Sequence, residues 1–301
     1  MSYRPDKITQ RAPEDLGQIA DPITSQSNEP LRDIFLRLLN ERLYGLCFSL
    51  YEEGQKPGDI ISEAQIRRKI EFLKPYTQWI RTFSTTEGNE LIPKIAKEYG
   101  MNTLVGAWLG RDSDKNAVEI QNLIELANEG FVDIAAVGNE VLYRKDLTQS
   151  ELLQHIGDVK KQIPSIPVGY VDAYYEFVER PEIAYACDVI LCNCYPYWEG
   201  TSFEQSFNHM RWMHGMATHA AEGKPVLITE TGWPSKGEAF ADAIPSPEHA
   251  MKYFINTQLW ARENNIGVFY FSSFDESWKV SAEGEVGAYW GIWDSKGNLK
   301  Y

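Results

Sequence analysis

The stretch Pro225-Val226-Leu227-Ile228-Thr229-Glu230-Thr231-Gly232-Trp233-Pro234-Ser235 opens as an aliphatic run and ends in a break. Its apolar and β-branched residues, bounded by Gly232 and Pro234, predict a short buried strand that stops within a residue or two of Glu230. Packing explains a carboxylate there poorly, because an isolated buried charge is costly and buried Glu is rare unless paired. A salt-bridged Glu at a strand end is the plain structural explanation. A second stretch repeats the design. Asp133-Ile134-Ala135-Ala136-Val137-Gly138-Asn139-Glu140 is again an apolar run, a small polar turn and then Glu.

Around these two stretches, strands and helices alternate along the chain. Strands are predicted at about 44–50, 79–83, 103–109, 134–137, 168–171, 189–194, 226–229 and 268–271, each short and rich in aliphatic residues. Helix signals fall between them. Ser62 with Gln65 and Thr148 with Glu151 have capping-box spacing, Gly100 is placed as a C-cap, and Ser246-Pro247 puts proline at a first helical position. Eight such units predict an α/β fold, a single (β/α)8 TIM barrel over residues 30–301. The alternative, a doubly wound open sheet, usually announces a Gly-x-Gly-x-x-Gly turn after its first strand, and none is present. Ahead of the first strand, Leu31, Ile34, Phe35, Leu38 and Leu39 share one face of a helix. That helix is expected to cover the N-terminal mouth of the barrel. Residues 1–29 are polar, carry Pro5, Pro13 and Pro22, and read as a short flexible or loosely docked extension.

Charge narrows the partners. With 43 acidic and 29 basic residues the formal net charge is −14. This argues against nucleic acid and anionic membrane surfaces and disfavours polyanionic sugars, leaving neutral substrates. Nine Trp, 16 Tyr and 13 Phe exceed what a core this size needs, and their rings suit the apolar faces of sugars. Cys192 and Cys194 are read as facing opposite sides of a strand and so unable to bridge; Cys47 and Cys187 lie in or beside apolar runs, where free Cys acts as a small hydrophobe. His209, His214 and His219 step by five, about 140° around a helix, and do not converge on one ion. No metal or cofactor is expected. The sequence has no apolar membrane span, and Met1-Ser2-Tyr3-Arg4-Pro5 lacks a hydrophobic signal region. It therefore reads as cytoplasmic as written, or as a secreted, periplasmic or membrane-protein fragment whose targeting segment has been removed.

In a barrel the strand C-termini share one mouth, so Glu140 and Glu230 face one cavity from strands four and seven, nearly across from each other. Arg81, Trp108, Asn139, Asp172, Asn193, Tyr195, Glu276 and Lys279 reach the same mouth. Glycoside cleavage needs one carboxylic acid to protonate the leaving oxygen and one carboxylate across the anomeric carbon. Arg81 is suited to hydrogen-bond the second carboxylate, Tyr195 offers it a hydroxyl, and Asn139 is suited to a sugar hydroxyl. Two other classes stay open: an inactive sugar-binding barrel, and a Schiff-base aldolase using Lys279. Pairing with Glu276 would keep that lysine protonated and disfavours the second.

Four stretches carry a family resemblance: Val137-Gly138-Asn139-Glu140, Asn193-Cys194-Tyr195-Pro196-Tyr197, Ile228 to Ser235, and Phe274-Asp275-Glu276-Ser277-Trp278-Lys279. They resemble the signatures of glycoside hydrolase family 17, the β-1,3-glucanases and β-1,3-glucanosyltransferases, and are nearer its fungal and bacterial branch. The resemblance spans about 44–301. It implies Glu140 as acid/base, Glu230 as nucleophile, retention of configuration, and Glu276 and Lys279 paired near the donor sugar. It makes the partner a neutral β-glucan polysaccharide or oligosaccharide, with Tyr197 and Trp233 added to the substrate-binding candidates. Phe83 departs from the pattern, standing where the family's Arg-x-Tyr would place Tyr. Whether water or an acceptor sugar resolves the intermediate stays open at this point. Trp198, Trp233 and Trp278, just beyond strand ends, are candidate acceptor platforms.

Overall fold

The computed structural model describes Leu16 and residues 29–301. Apart from Leu16 and Glu29, the expected N-terminal extension lies outside the described residues. Eight parallel strands close on themselves in chain order: β1 (Leu43–Cys47), β2 (Thr77–Arg81), β3 (Asn102–Ala107), β4 (Ile134–Asn139), β5 (Val168–Ala173), β6 (Val189–Asn193), β7 (Val226–Thr231) and β8 (Val268–Tyr270). The seam is made by Gly45 opposite Phe269 and Leu46 opposite Tyr270. The helices are α1 (Leu31–Asn40), α2 (Glu63–Leu73), α3 (Leu91–Glu98), α4 (Ser113–Asn128), α5 (Gln149–Gln162), α6 (Tyr174–Glu179), α7 (Pro181–Ala186), α8 (Phe203–Ala220), α9 (Pro247–Glu263) and α10 (Val280–Glu283). The chain is thus a (β/α)8 barrel whose strands are buried on both faces, which is why they read as continuous apolar runs.

The caps follow the local chemistry. Thr148 and Glu151 form the full reciprocal capping box, and the Ser246 hydroxyl accepts from His249 N ahead of Pro247. Ser62 accepts from Gln65 N, but the Gln65 side chain turns inward to Leu50 O instead of completing a box. Strands one to three end about two residues earlier than the apolar runs suggest. Beyond Cys47, Arg81 and Ala107 the chain stays largely buried, but its hydrogen bonding is divided: Phe48 N and Thr82 N still reach Arg81 O and Leu104 O, whereas Ser49 N goes to Ser273 Oγ and Trp108 N to Glu119 Oε2.

Strand β8 is followed only by short turns and the four-residue α10, so the helical ring would be open beside α9. Helix α1 packs there. The expectation that it covers the N-terminal mouth gives way to packing against α9: Phe35 lies 4.9 Å from Phe254 and 5.3 Å from Tyr301, and Arg262 Nη2 donates to Leu38 O. The cysteine reading is also corrected. Residues two apart in a strand share a face, and the Cys192 and Cys194 sulfurs lie 3.9 Å apart as free thiols. Among the described residues no helix is long and apolar enough to cross a membrane, and no group of three His, Cys, Asp or Glu is placed to hold a metal ion.

Candidate active site

Irregular pairing marks the strand ends where the two glutamates stand. The register slips between Ala136 and Asn139 on β4, between Cys192 and Asn193 on β6, and between Ile228 and Thr231 on β7. Such bulges bend a strand and re-aim its side chains. On β4 the bend continues through Gly138 at φ +90° into Glu140 at φ +53°, a left-handed conformation that is uncommon for a residue with a side chain. Glycine is needed at 232 for another reason: a Cβ there would lie 2.2 Å from Phe271 O, so only glycine lets β7 approach the end of β8 this closely.

Glu140 is buried. Its Oε1 accepts from Asn193 Nδ2 at 2.9 Å, and Asn193 is itself oriented by the Thr229 hydroxyl at 2.9 Å. Its Oε2 has no hydrogen-bond partner among the described residues. Burial, and then the charge of Glu230, push the Glu140 pKa up to about 7, against the opposing effects of Asn193 and Arg144. Glu230 is in the contrary situation. Arg81 Nη1 lies 2.8 Å from its Oε1, and the Tyr195 hydroxyl donates to its Oε2 at 2.8 Å. Arg81 is itself buried and held above the usual guanidinium range; burial opposes its charge, but Glu230 and Cys47 outweigh that. Its other nitrogen, Nη2, donates to Asn139 Oδ1 at 2.7 Å. One carboxyl is therefore tuned to hold a proton and the other sits in a cation's field. That division is the requirement for acid and nucleophile roles at one centre.

Above this pair opens a cavity of about 500 Å3, walled by Tyr51, Phe83, Trp108, Phe271, Trp278 and Lys279 among others. Glu140 and Glu230 are only 7% and 2% exposed and are not among its lining residues. Lys279 pairs with Glu276 Oε2 at 2.7 Å, and its ammonium lies 4.4 Å from the centre of the Phe271 ring. Burial works against the Lys279 charge, but Glu276, Glu283 and Glu230 together hold its pKa above the usual lysine value. A charged lysine cannot open a Schiff base, which counts against aldolase chemistry.

Several residues named from sequence sit elsewhere or do something else. Tyr197 is fully buried, its hydroxyl donating to Glu238 O. Trp233 is 1% exposed, with its indole N–H on Ile244 O and its ring against Tyr197. Neither lines the cavity, nor does Trp198, which packs on Phe240 and Trp290. Of the three indole platforms only Trp278 stands in the wall. Asn193 and Tyr195 are engaged with the carboxyls of Glu140 and Glu230. Asp172 lies beneath the mouth, buried and bonded by the Tyr170 hydroxyl; burial, then Glu140 and Glu176, push its pKa well above the usual carboxylate range.

Two site residues escaped sequence reading. Arg144 donates to Asn139 O and to Leu109 O, and its guanidinium lies 4.4 Å from the centre of the Trp108 ring. Glu119, fully buried on α4, accepts from Thr85 N, Thr86 Oγ1 and Trp108 N, and so fixes the loops that carry the cavity wall. Only its place on the inward stripe of α4 could have drawn notice to Glu119.

A family model for the BtgE/BtgC glycoside hydrolase domain matches residues 45–291. The chain belongs to glycoside hydrolase family 17. This family 17 chain is 31% identical over 260 residues to a glucan 1,3-beta-glucosidase of Candida albicans, covering 77% of the chain and 83% of that relative. A glucan 1,3-beta-glucosidase of Saccharomyces cerevisiae is 28% identical, with 81% of the chain and 86% of the relative covered. Among solved structures, a Rhizomucor miehei family 17 beta-1,3-glucanosyltransferase superposes with a TM-score of 0.77 at 30% identity. That match covers 86% of the chain and 96% of the neighbour. An active-site mutant of the same enzyme is known in complex with laminaritriose.

Proposed function

We propose that this glycosidase cleaves β-1,3-glucan or its oligosaccharides by double displacement with retention of configuration. The reading rests on one observation: Glu140 sits where its pKa rises to about 7, while Glu230 lies between the Arg81 guanidinium and the Tyr195 hydroxyl. In the first step the Glu230 carboxylate attacks the anomeric carbon. Glu140 gives its proton to the departing glycosidic oxygen as that bond breaks. In the second step Glu140, now ionised, takes a proton from water; the resulting oxygen attacks the anomeric carbon and Glu230 leaves. The substrate class is supported by the fungal relatives named glucan 1,3-beta-glucosidases and by the laminaritriose complex of the Rhizomucor enzyme.

Incubation with a linear β-1,3-oligosaccharide should release the β-anomer first, read by proton NMR during early turnover. Release of the α-anomer, or no cleavage, would refute the mechanism. Glu230→Gly with azide should form the α-glycosyl azide. A second reading uses the same intermediate with a sugar acceptor in place of water. It is favoured by the kinship to a glucanosyltransferase and by Trp278 in the cavity wall, where an indole can hold a sugar ring and exclude water. At high oligosaccharide concentration, products longer than the starting chain should then appear. Trp278→Ala should shift the balance toward hydrolysis.

A further inference from the structure

The outer rim of the cavity is held by one residue with an unusual backbone. Glu87, in the loop between β2 and α3, has φ +61°, a left-handed conformation that persists only where the surroundings enforce it. Its Oε2 accepts from Gly58 N at 2.9 Å, and its carbonyl accepts from Ile61 N at 3.3 Å; both donors belong to the loop between β1 and α2. Its Oε1 pairs with Lys115 Nζ at 3.2 Å, in the first turn of α4. Gly58, Glu87 and Lys115 all line the cavity. One side chain therefore ties three separate segments together across the rim. The same cavity is lined by the buried Cys47, Phe271 and Lys279, and Cys47 Sγ lies 3.5 Å from Arg81 Nη1, the nitrogen that pairs with Glu230.

From this arrangement we infer that Glu87 is a specificity-determining residue: it ends the sugar-binding cavity and fixes how many glucosyl units one side of the cleft accepts. The inference rests on the proposed β-1,3-glucan activity and deepens it. A chain seated on the carboxyl pair and running outward over Phe83 and Trp108 meets the Glu87–Lys115 bridge. The bridge is an exposed ion pair, with side chains 29% and 47% accessible, so it contributes little to stability. Its effect is steric and polar. It blocks further units, and it presents a carboxylate and an ammonium to the hydroxyls of the last unit that fits.

The left-handed backbone supplies a clean variant. Glycine adopts that conformation without strain, so Glu87→Gly removes the carboxylate and both side-chain ties while the loop keeps its path. Glu87→Gln keeps an acceptor for Gly58 N and much of the bulk. The experiment measures kcat/KM for linear β-1,3-oligosaccharides of increasing length. In parallel, affinity for the same series is read by tryptophan fluorescence in a Glu230→Gln background, through Trp108 and Trp278 in the wall. The wild type should gain with each unit until the cavity is full and then level off. Glu87→Gly should go on gaining for at least one further unit, by about tenfold, the scale of one added contact. Glu87→Gln should follow the wild type, and all three should melt within a few degrees of one another. An active wild type whose length profile superposes on that of Glu87→Gly, in rate and in binding, overturns this inference alone. A wild type that neither cleaves nor binds any member of the series overturns it together with the proposed function.

Discussion

Between Glu140 and Asn193 a single hydrogen bond moderates how tightly the acid holds its proton, against the larger effects of burial and Glu230. The bond strengthens when Glu140 is ionised, so it opposes the upward push of burial and of Glu230. Asn193→Ala should therefore raise the Glu140 pKa and carry the alkaline limb of the pH–rate profile, near pH 7 in the wild type, to higher pH. A limb that moved down would contradict the acid assignment. The same carboxyl makes stability depend on pH. Its folded pKa of about 7 exceeds the ordinary 4.5, so the folded state binds the proton more tightly than the unfolded chain. Stability from this group is then fullest below 4.5 and falls as pH rises from there toward 7. The total is on the order of 3 kcal/mol, at about 1.4 kcal/mol per pKa unit. Glu140→Gln should melt above the wild type at about pH 8 and close to it in mild acid. The variant should also keep activity on aryl glycosides, whose leaving groups need no proton, wherever the cavity admits them.

Among the elements, α1 shows how a sequence element can be legible while its place is not. Its apolar stripe announces a helix with one buried face, but nothing in the stripe says which neighbour covers it. The covering partner is decided by an absence elsewhere: β8 lacks a full helix of its own, and α1 fills that position beside α9. Phe35→Ala should cost about 3–5 kcal/mol, the usual penalty for emptying a buried aromatic site. A calorimetric scan should find the melting temperature well down and the product pattern unchanged; altered products would tie α1 to the cleft. The strands were legible because a closed parallel barrel buries both faces, so apolar runs suffice to find them. Their ends were less so, since the runs continue after Cys47, Arg81 and Ala107 while part of the bonding passes to Ser273 and Glu119. The site divides along the same line. Glu140 and Glu230 stood out because a carboxylate at an apolar strand end is conspicuous. Trp233 and Tyr197 were less legible, because an indole or phenol near a strand end looks alike in sequence whether it stacks on a sugar or, as both do here, on its neighbours. Arg144 and Glu119 act from a loop and a helix, where charged residues are ordinary.

Over the whole molecule, the formal net charge is −14, and the proposed substrate is an uncharged glucan. A carboxymethylated β-1,3-glucan should be a poorer substrate than the neutral one at low ionic strength, and the gap should narrow as salt screens the repulsion. A salt-independent gap would point to steric rejection instead. Closure of the barrel has a consequence of another kind. The seam pairs Gly45 with Phe269, 224 positions apart. A ribosome adding about 5–20 residues per second would therefore hold β1 with one bare edge for roughly 11–45 s before β8 emerges. Throughout that interval an apolar strand with unpaired amides and carbonyls is open to pairing with other chains. The yield of folded protein should thus respond to translation speed and to chaperones that shield nascent strands, more than to anything at the catalytic mouth.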